Sequence, residues 1–296
     1  MIYTISDLER LSGVQSHTIR IWEKRYNALK PMRSQGNTRL YDDDQLKKLL
    51  NIVSLNQSGL KISKICSLSN HAVDKLIVEQ NHYQSGDELG DYYIAQLIKH
   101  GLAFDETSFC ILMEDCIKQF GMAETYKRVM YPLLVRLGLM WRKDDICPAH
   151  EHFLSNLIRQ KLFSAINNVP VKENNSKTWL LFLPEDEDHD IGLLFANYLL
   201  RLNNQKVIFL GSKVPLSSIK RVFSTVNIDH VLLFLVRTRL PKQAQAYIDE
   251  LSNLSTAAQI HLAGNFQVIE KLKNIPHIKY FKTLSEFENT IQNLAL

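Results

Sequence analysis

Apolar residues return every three or four positions through the first 170 residues and gather into short unbroken runs after residue 177. The first spacing is that of helices buried along one face, the second that of strands covered on both faces. Thr4-Ile5-Ser6-Asp7-Leu8 opens a helix with Thr4 or Ser6 as N-cap and Leu8 and Leu11 on its apolar side, and Gly13-Val14 breaks it. A second helix runs from Ser16 to Tyr26, with Ile19, Trp22 and Tyr26 on one face and Gln15, Ser16, His17, Thr18 and Arg20 on or near the other. Two short helices joined by a glycine turn read as a helix-turn-helix, whose second helix presents its N-terminal residues to base edges. Leu29-Lys30-Pro31 is an extended break, and Gly36-Asn37 predicts a two-residue hairpin turn between flanks carrying Arg33 and Arg39. A basic hairpin in that place reads as a wing gripping phosphates. Further helices are predicted from Asp42 to Asn56 and from Leu60 to Leu68.

The pattern then thins into a predicted linker over 77–87, which contains Ser85-Gly86. Helical spacing returns in four segments, around Leu89 to Leu97, Asp105 to Phe120, Ala123 to Trp141 and His150 to Asn167, which implies a four-helix bundle. Beyond residue 177 strand and helix alternate, the strands starting at Thr178, Lys206, His230, Gln259 and Ile278. Short connections between them predict a parallel, doubly wound, flavodoxin-like sheet, which binds ligands beyond the carboxyl ends of its strands. The expected fold is therefore multidomain: a winged helix-turn-helix over 1–76, the linker, a helical cap over 88–170 and an α/β domain over 177–296.

Charge sharpens this division. Residues 1–80 hold 12 Lys/Arg against 8 Asp/Glu, and the other 216 hold 23 of each, so the whole net charge of +4 lies in the N-terminal block. Phosphate contacts need local cations, which suits a DNA-reading head on a neutral body. Cys66, Cys110, Cys116 and Cys147 form no CxxC pair and read as reduced thiols of a cytoplasmic protein. No apolar run reaches the roughly 18 residues of a membrane span, and the opening MIYTISDLERLSG lacks the apolar core of a signal peptide.

Arg20-x-Trp22-Glu23-x-Arg25-Tyr26 followed by Gly36-Asn37-x-Arg39-x-Tyr41 resembles the MerR family of transcriptional regulators, over Tyr3 to about Leu68. The resemblance implies a homo-oligomer, dimer or tetramer, on a palindromic operator in double-stranded DNA. The residues expected at DNA are Gln15, Ser16, His17, Thr18, Arg20, Arg25, Tyr26, Arg33, Arg39 and Tyr41. Trp22, Tyr26 and Tyr41 also read as core packing.

After the first strand comes Glu187-x-His189-x-x-Gly192, similar to the D/E-x-H-x-x-G motif of cobalamin-binding domains. A neutral imidazole can ligate cobalt from below, displacing the cofactor's own dimethylbenzimidazole, while a carboxylate two residues earlier fixes its tautomer. With Trp141-x9-Glu151-His152 ahead of it, the whole chain resembles the light-responsive, adenosylcobalamin-binding repressors of CarH/LitR type. That likeness implies Trp141, Glu151 and His152 at the upper face, His189 as the cobalt ligand, and Glu187, Gly192, Gly211, Val214 and Gly264 around the cofactor. It further implies dark assembly with adenosylcobalamin on the operator and release in light. Three positions depart from the pattern: Arg142 replaces a histidine, Phe234 a small serine facing the nucleotide tail, and Ala263 the first of two glycines. A second reading stays open, in which the C-terminal part is a cofactor-free module for dimerisation or partner binding. An enzyme is not expected, because neither a substrate barrel nor a zinc thiolate cluster is present.

Overall fold

A computed structural model describes residues 2–34, 36–57, 60–69, 72–73, 76, 86–141, 147–170, 177–237, 240–254, 257–273 and 278–295. They form two compact units, Met1–Ile158 and Arg159–Leu296.

In the first unit β1 (Ile2–Tyr3) leads into α1 (Ile5–Ser12) and α2 (Ser16–Tyr26). Thr4 is the cap of α1: its hydroxyl accepts from Asp7 N–H at 3.4 Å, and the Asp7 carboxylate accepts from Thr4 N–H at 2.6 Å. β2 (Met32–Arg33) and β3 (Arg39–Asp42) pair antiparallel, with β1 on the other edge of β3. This wing departs from the expected two-residue turn. Arg33 stands opposite Arg39, so residues 34–38 connect the strands. A tight primed turn needs positive φ at both central residues; Asn37 has it at +60°, and Gly36 does not. Ser34 instead closes a wider loop, its N–H donating to Thr38 O at 3.0 Å and its hydroxyl accepting Thr38 N–H at 3.2 Å.

α3 (Asp43–Gln57) and α4 (Ile62–Cys66) complete the head, whose fully buried residues include Leu8, Leu11, Ile19, Tyr41, Leu49 and Leu50. Residues 77–85 of the expected linker lie outside the described residues, and α5 (Gly86–Leu102) starts at Gly86. α6 (Glu106–Thr125) is interrupted by Gly121, at φ 76° and ψ 161°, between the two helices expected there. A π turn at Tyr126–Met130 carries the chain into α7 (Tyr131–Trp141). α8 (Pro148–Asn167) meets α5 at Gly101, where a Cβ would lie 2.3 Å from Leu154.

The second unit holds β4 (Thr178–Pro184), α9 (Ile191–Leu202), β5 (Lys206–Val214), α10 (Leu216–Thr225), β6 (His230–Leu235), α11 (Pro241–Leu254), β7 (Gln259–Gly264), α12 (Phe266–Ile269), β8 (Ile278–Tyr280) and α13 (Leu284–Ala295). All five strands are parallel, in the order β5-β4-β6-β7-β8, a Rossmann-like arrangement whose order reverses at β4. β4 is buried along its length, which its unbroken apolar run requires. One sheet face packs Leu180, Phe182, Val231, Leu233 and Ile260 against Ile219 of α10 and Ile248 and Leu251 of α11. The alternate residues, Trp179, Leu181, His230, Leu232, Phe234, His261 and Ala263, line the other face. There Trp179 stacks on His230 at 4.4 Å and His261 at 4.9 Å, with Phe287 of α13 edge-on at 6.1 Å.

Candidate DNA-reading head and candidate cofactor site

The helix-turn-helix exposes Gln15, His17 and Arg20 at the start of α2 and Arg25 near its end, with Arg33 exposed on the wing. Thr18 and Tyr26 are half-buried. Ser16 turns toward α1, its hydroxyl donating to the Glu9 carboxylate at 2.5 Å. Arg33 bonds Asn37 across the wing loop. Tyr41 is fully buried, and its hydroxyl donates to Glu23 at 2.5 Å. Glu23 also accepts from Arg39 Nε at 3.2 Å, so one carboxylate of α2 holds two residues of β3. Burial and then the Glu23 bond push the Tyr41 phenol well above its usual range, which keeps it a neutral donor. Of the expected DNA set, Ser16 and Tyr41 therefore shape the head from within. In the sequence Glu23 stands out only as part of a motif; its partners lie 16 and 18 residues away.

At the carboxyl end of β4 a second carboxylate does comparable work. Glu187 is 0% exposed. Its Oε1 accepts the Arg237 N–H from the end of β6 at 2.6 Å, its Oε2 faces His189 Nδ1 at 3.2 Å, and its carbonyl accepts Lys213 N–H from the end of β5 at 3.2 Å. Three strand ends thus converge on one residue. The His189 ring is 47% exposed, and the Glu187 bond raises its pKa against the effect of burial. With Nδ1 engaged, Nε2 is the nitrogen left for a ligand. Asp188 accepts from the Arg237 guanidinium at 3.1 and 3.2 Å and forms an ion pair with Lys213 Nζ at 3.7 Å. Arg159 Nε donates to Asp190 at 2.7 Å, fixing the loop on its far side. Gly211 has φ +79°, Val214 pairs with Pro184, and Gly264 has φ +117° where a Cβ would lie 2.4 Å from the Leu235 carbonyl oxygen.

In the first unit Glu151 and His152 lie near the start of α8, His152 Nδ1 3.4 Å from the Glu151 carboxylate. Trp141 ends α7, and its side chain and Arg142 lie outside the described residues. Cys147, just before α8, is 3.2 Å from His150 Nδ1.

Residues 3–70 match the MerR HTH family regulatory proteins, and residues 93–164 match the B12 binding domain. The chain carries a MerR-type head and a B12-binding domain. It is 27% identical over 258 residues to the HTH-type transcriptional repressor CarH of Myxococcus xanthus, covering 86% of this chain and 85% of that one. With the repressor CarA of the same organism it shares 26% over 256 residues, 84% and 82% of the two chains. Both relatives are transcriptional repressors, in agreement with a regulator rather than an enzyme. The monomethylamine corrinoid protein of Methanosarcina barkeri has the same fold, with a TM-score of 0.53 over 67% of this chain and 96% of its own at 13% identity. Among the described residues no helix is long and apolar enough to cross a membrane.

The donor set of this chain would suit a corrin's cobalt: an accessible imidazole, oriented by a buried carboxylate, at the switch point of a doubly wound sheet. The layer beneath it does not fit a buried nucleotide tail. Phe234 lies on the face that α9 covers, and a Cβ on Gly192 would come within 2.7 Å of its ring. The Gly192 position is thus taken up by this chain's own aromatic ring. Arg237 and Lys213 escaped the sequence reading, although both stand where the strands end, the position that marks ligand loops in such sheets.

Proposed function

We propose that this protein is a transcriptional repressor that holds a palindromic DNA operator as a homo-oligomer, under the control of adenosylcobalamin and light. The reading is carried by His189: its Nδ1 is held by the fully buried Glu187, which leaves Nε2 as the nitrogen for a metal at the carboxyl end of β4. Likeness to two repressors across more than four-fifths of the chain supports it. Bound there, the corrin supplies a visible-light absorber with a weak cobalt–carbon bond. The protein's part is to hold the ring, orient His189 and make head placement depend on occupancy. Trp141, Glu151 and His152 are the residues proposed for the upper face. On the DNA, Arg20, Arg25, Arg33 and His17 are proposed to meet bases and phosphates, while Glu23 keeps Arg39 and the wing in register with α2.

Phe234 favours a second reading, in which the sheet is a cofactor-free association module. One experiment separates the two. A duplex selected from a random library by the full chain is used in gel shifts in the dark, with and without adenosylcobalamin, and again after illumination. The proposal expects tight binding only with the cofactor in the dark. Equal binding in all three conditions leaves the cofactor-free reading.

A further inference from the structure

We infer that this chain takes its corrinoid without burying the lower nucleotide tail, and that Phe234 is the specificity residue that keeps the tail out. The inference rests on the cobalamin reading above. A histidine that ligates cobalt from below must displace the cofactor's own base, and that base stays tethered to the same face of the ring. A displaced tail therefore needs room on the His189 side, between the sheet and the helix that follows β4.

The residues on that side leave none. Phe234 is in register with Ala263 on β7 and points to the face that α9 covers. Its ring edge sits against Gly192, the second residue of α9, at a separation that would not admit even a Cβ. Deeper in the same layer Leu181 and Trp179 are fully buried, and Leu232 is 1% exposed. Trp179 and His261 are stacked at 4.9 Å, and Phe281 stacks on His261 from the other side, also at 4.9 Å. The layer is packed through the amino end and middle of the strands, and at the carboxyl end the half-buried Phe234 and Ala263 close it. Glu187 is not disturbed by this: its bonds to His189 and Arg237 lie in the loops above the strands. Lower ligation and tail burial are thus separable here. The ligand class that fits is a corrinoid with no nucleotide tail, or one whose tail stays in solvent.

Adenosylcobalamin and adenosylcobinamide differ at the lower tail and share the corrin and the upper ligand. Both are titrated in the dark into the full chain, with the colour change on imidazole ligation and the dissociation constant as readouts. The wild type is expected to bind adenosylcobinamide at least as tightly, since no internal base has to be displaced. Phe234→Ser should shift the ratio toward adenosylcobalamin by about tenfold or more, and Phe234→Leu, which keeps the bulk, should not. A wild-type preference for adenosylcobalamin of about tenfold, unmoved in Phe234→Ser, overturns this inference and leaves the cobalamin reading standing. Binding of neither corrinoid overturns that reading and the inference with it. If Phe234→Ser fails to fold, the wild-type ratio alone decides.

Discussion

Glu187→Gln keeps the size of the buried side chain and changes what it offers His189. Glu187 is 0% exposed, takes Arg237 N–H at 2.6 Å on Oε1 and faces His189 Nδ1 at 3.2 Å with Oε2. A backbone N–H can only donate, so Arg237 selects the amide oxygen of the introduced glutamine and turns its NH₂ toward His189. An NH₂ group only donates, so Nδ1 must become the acceptor. The ring proton of neutral His189 then moves to Nε2, which loses the lone pair a metal needs. Losing the orienting partner of a metal-bound histidine lowers affinity about 10–100-fold, or ~1.4–2.7 kcal/mol. The fold should suffer less. Two charge-assisted hydrogen bonds become neutral ones, a loss of about 1 kcal/mol with His189 half in solvent. Dark titration with adenosylcobalamin, run beside urea unfolding, measures both quantities. A Glu187→Gln variant with full affinity and an unaltered imidazole-ligated spectrum would refute the tautomer argument.

Glu23→Ala should strand the buried Tyr41 hydroxyl and release Arg39, costing about 1–3 kcal/mol of stability; operator affinity should fall with it, and an unchanged gel shift would show that the wing needs no such anchor. His261 is 1% exposed, and burial, followed by repulsion from His230 and Lys279, pushes it down to about 3. Between its ordinary pKa of about 6.5 and that value the unfolded chain binds a proton that the folded chain does not. Stability is then full above that window and falls on acidification by up to about 1.4 kcal/mol per pH unit. Urea midpoints should show a shallower slope in His261→Gln, and identical slopes would place the proton elsewhere. Gly264→Ala should cost at least about 2 kcal/mol, because its Cβ would strike the Leu235 carbonyl at 2.4 Å. Gly211→Ala meets nothing nearer than 3.6 Å and should cost only the about 1–2 kcal/mol of its positive φ. Equal losses in the two variants would contradict the steric distinction.

Local chemistry made much of this molecule legible from its sequence. The run Thr178 to Leu183 reads as a strand covered on both faces, and β4 is buried along its length, one residue further, to Pro184. Thr4 announced an N-cap, and the short connections a parallel sheet. The Glu187–His189 contact spans two residues, so spacing sufficed to foresee it. What stayed hidden depends on long-range register. Glu23 meets Tyr41 and Arg39 only because β3 lies across α2, and Arg237 meets Glu187 fifty residues away because β6 is the neighbour of β4. The wing loop is wider than Gly36-Asn37 suggests, since Ser34 and Thr38 satisfy each other's backbone groups. Phe234 was visible as a departure from pattern, but its contact with Gly192 is set by where α9 settles on the sheet.

The most direct measurement is the visible spectrum of the full chain after mixing with adenosylcobalamin and gel filtration in darkness, recorded for the wild type and for His189→Ala. The corrin should elute with the wild-type protein and show imidazole-ligated cobalt, and His189→Ala should lose that signature while still binding DNA. Colourless wild-type protein, or a His189→Ala spectrum identical to wild type, would contradict the assignment of His189 as the cobalt ligand.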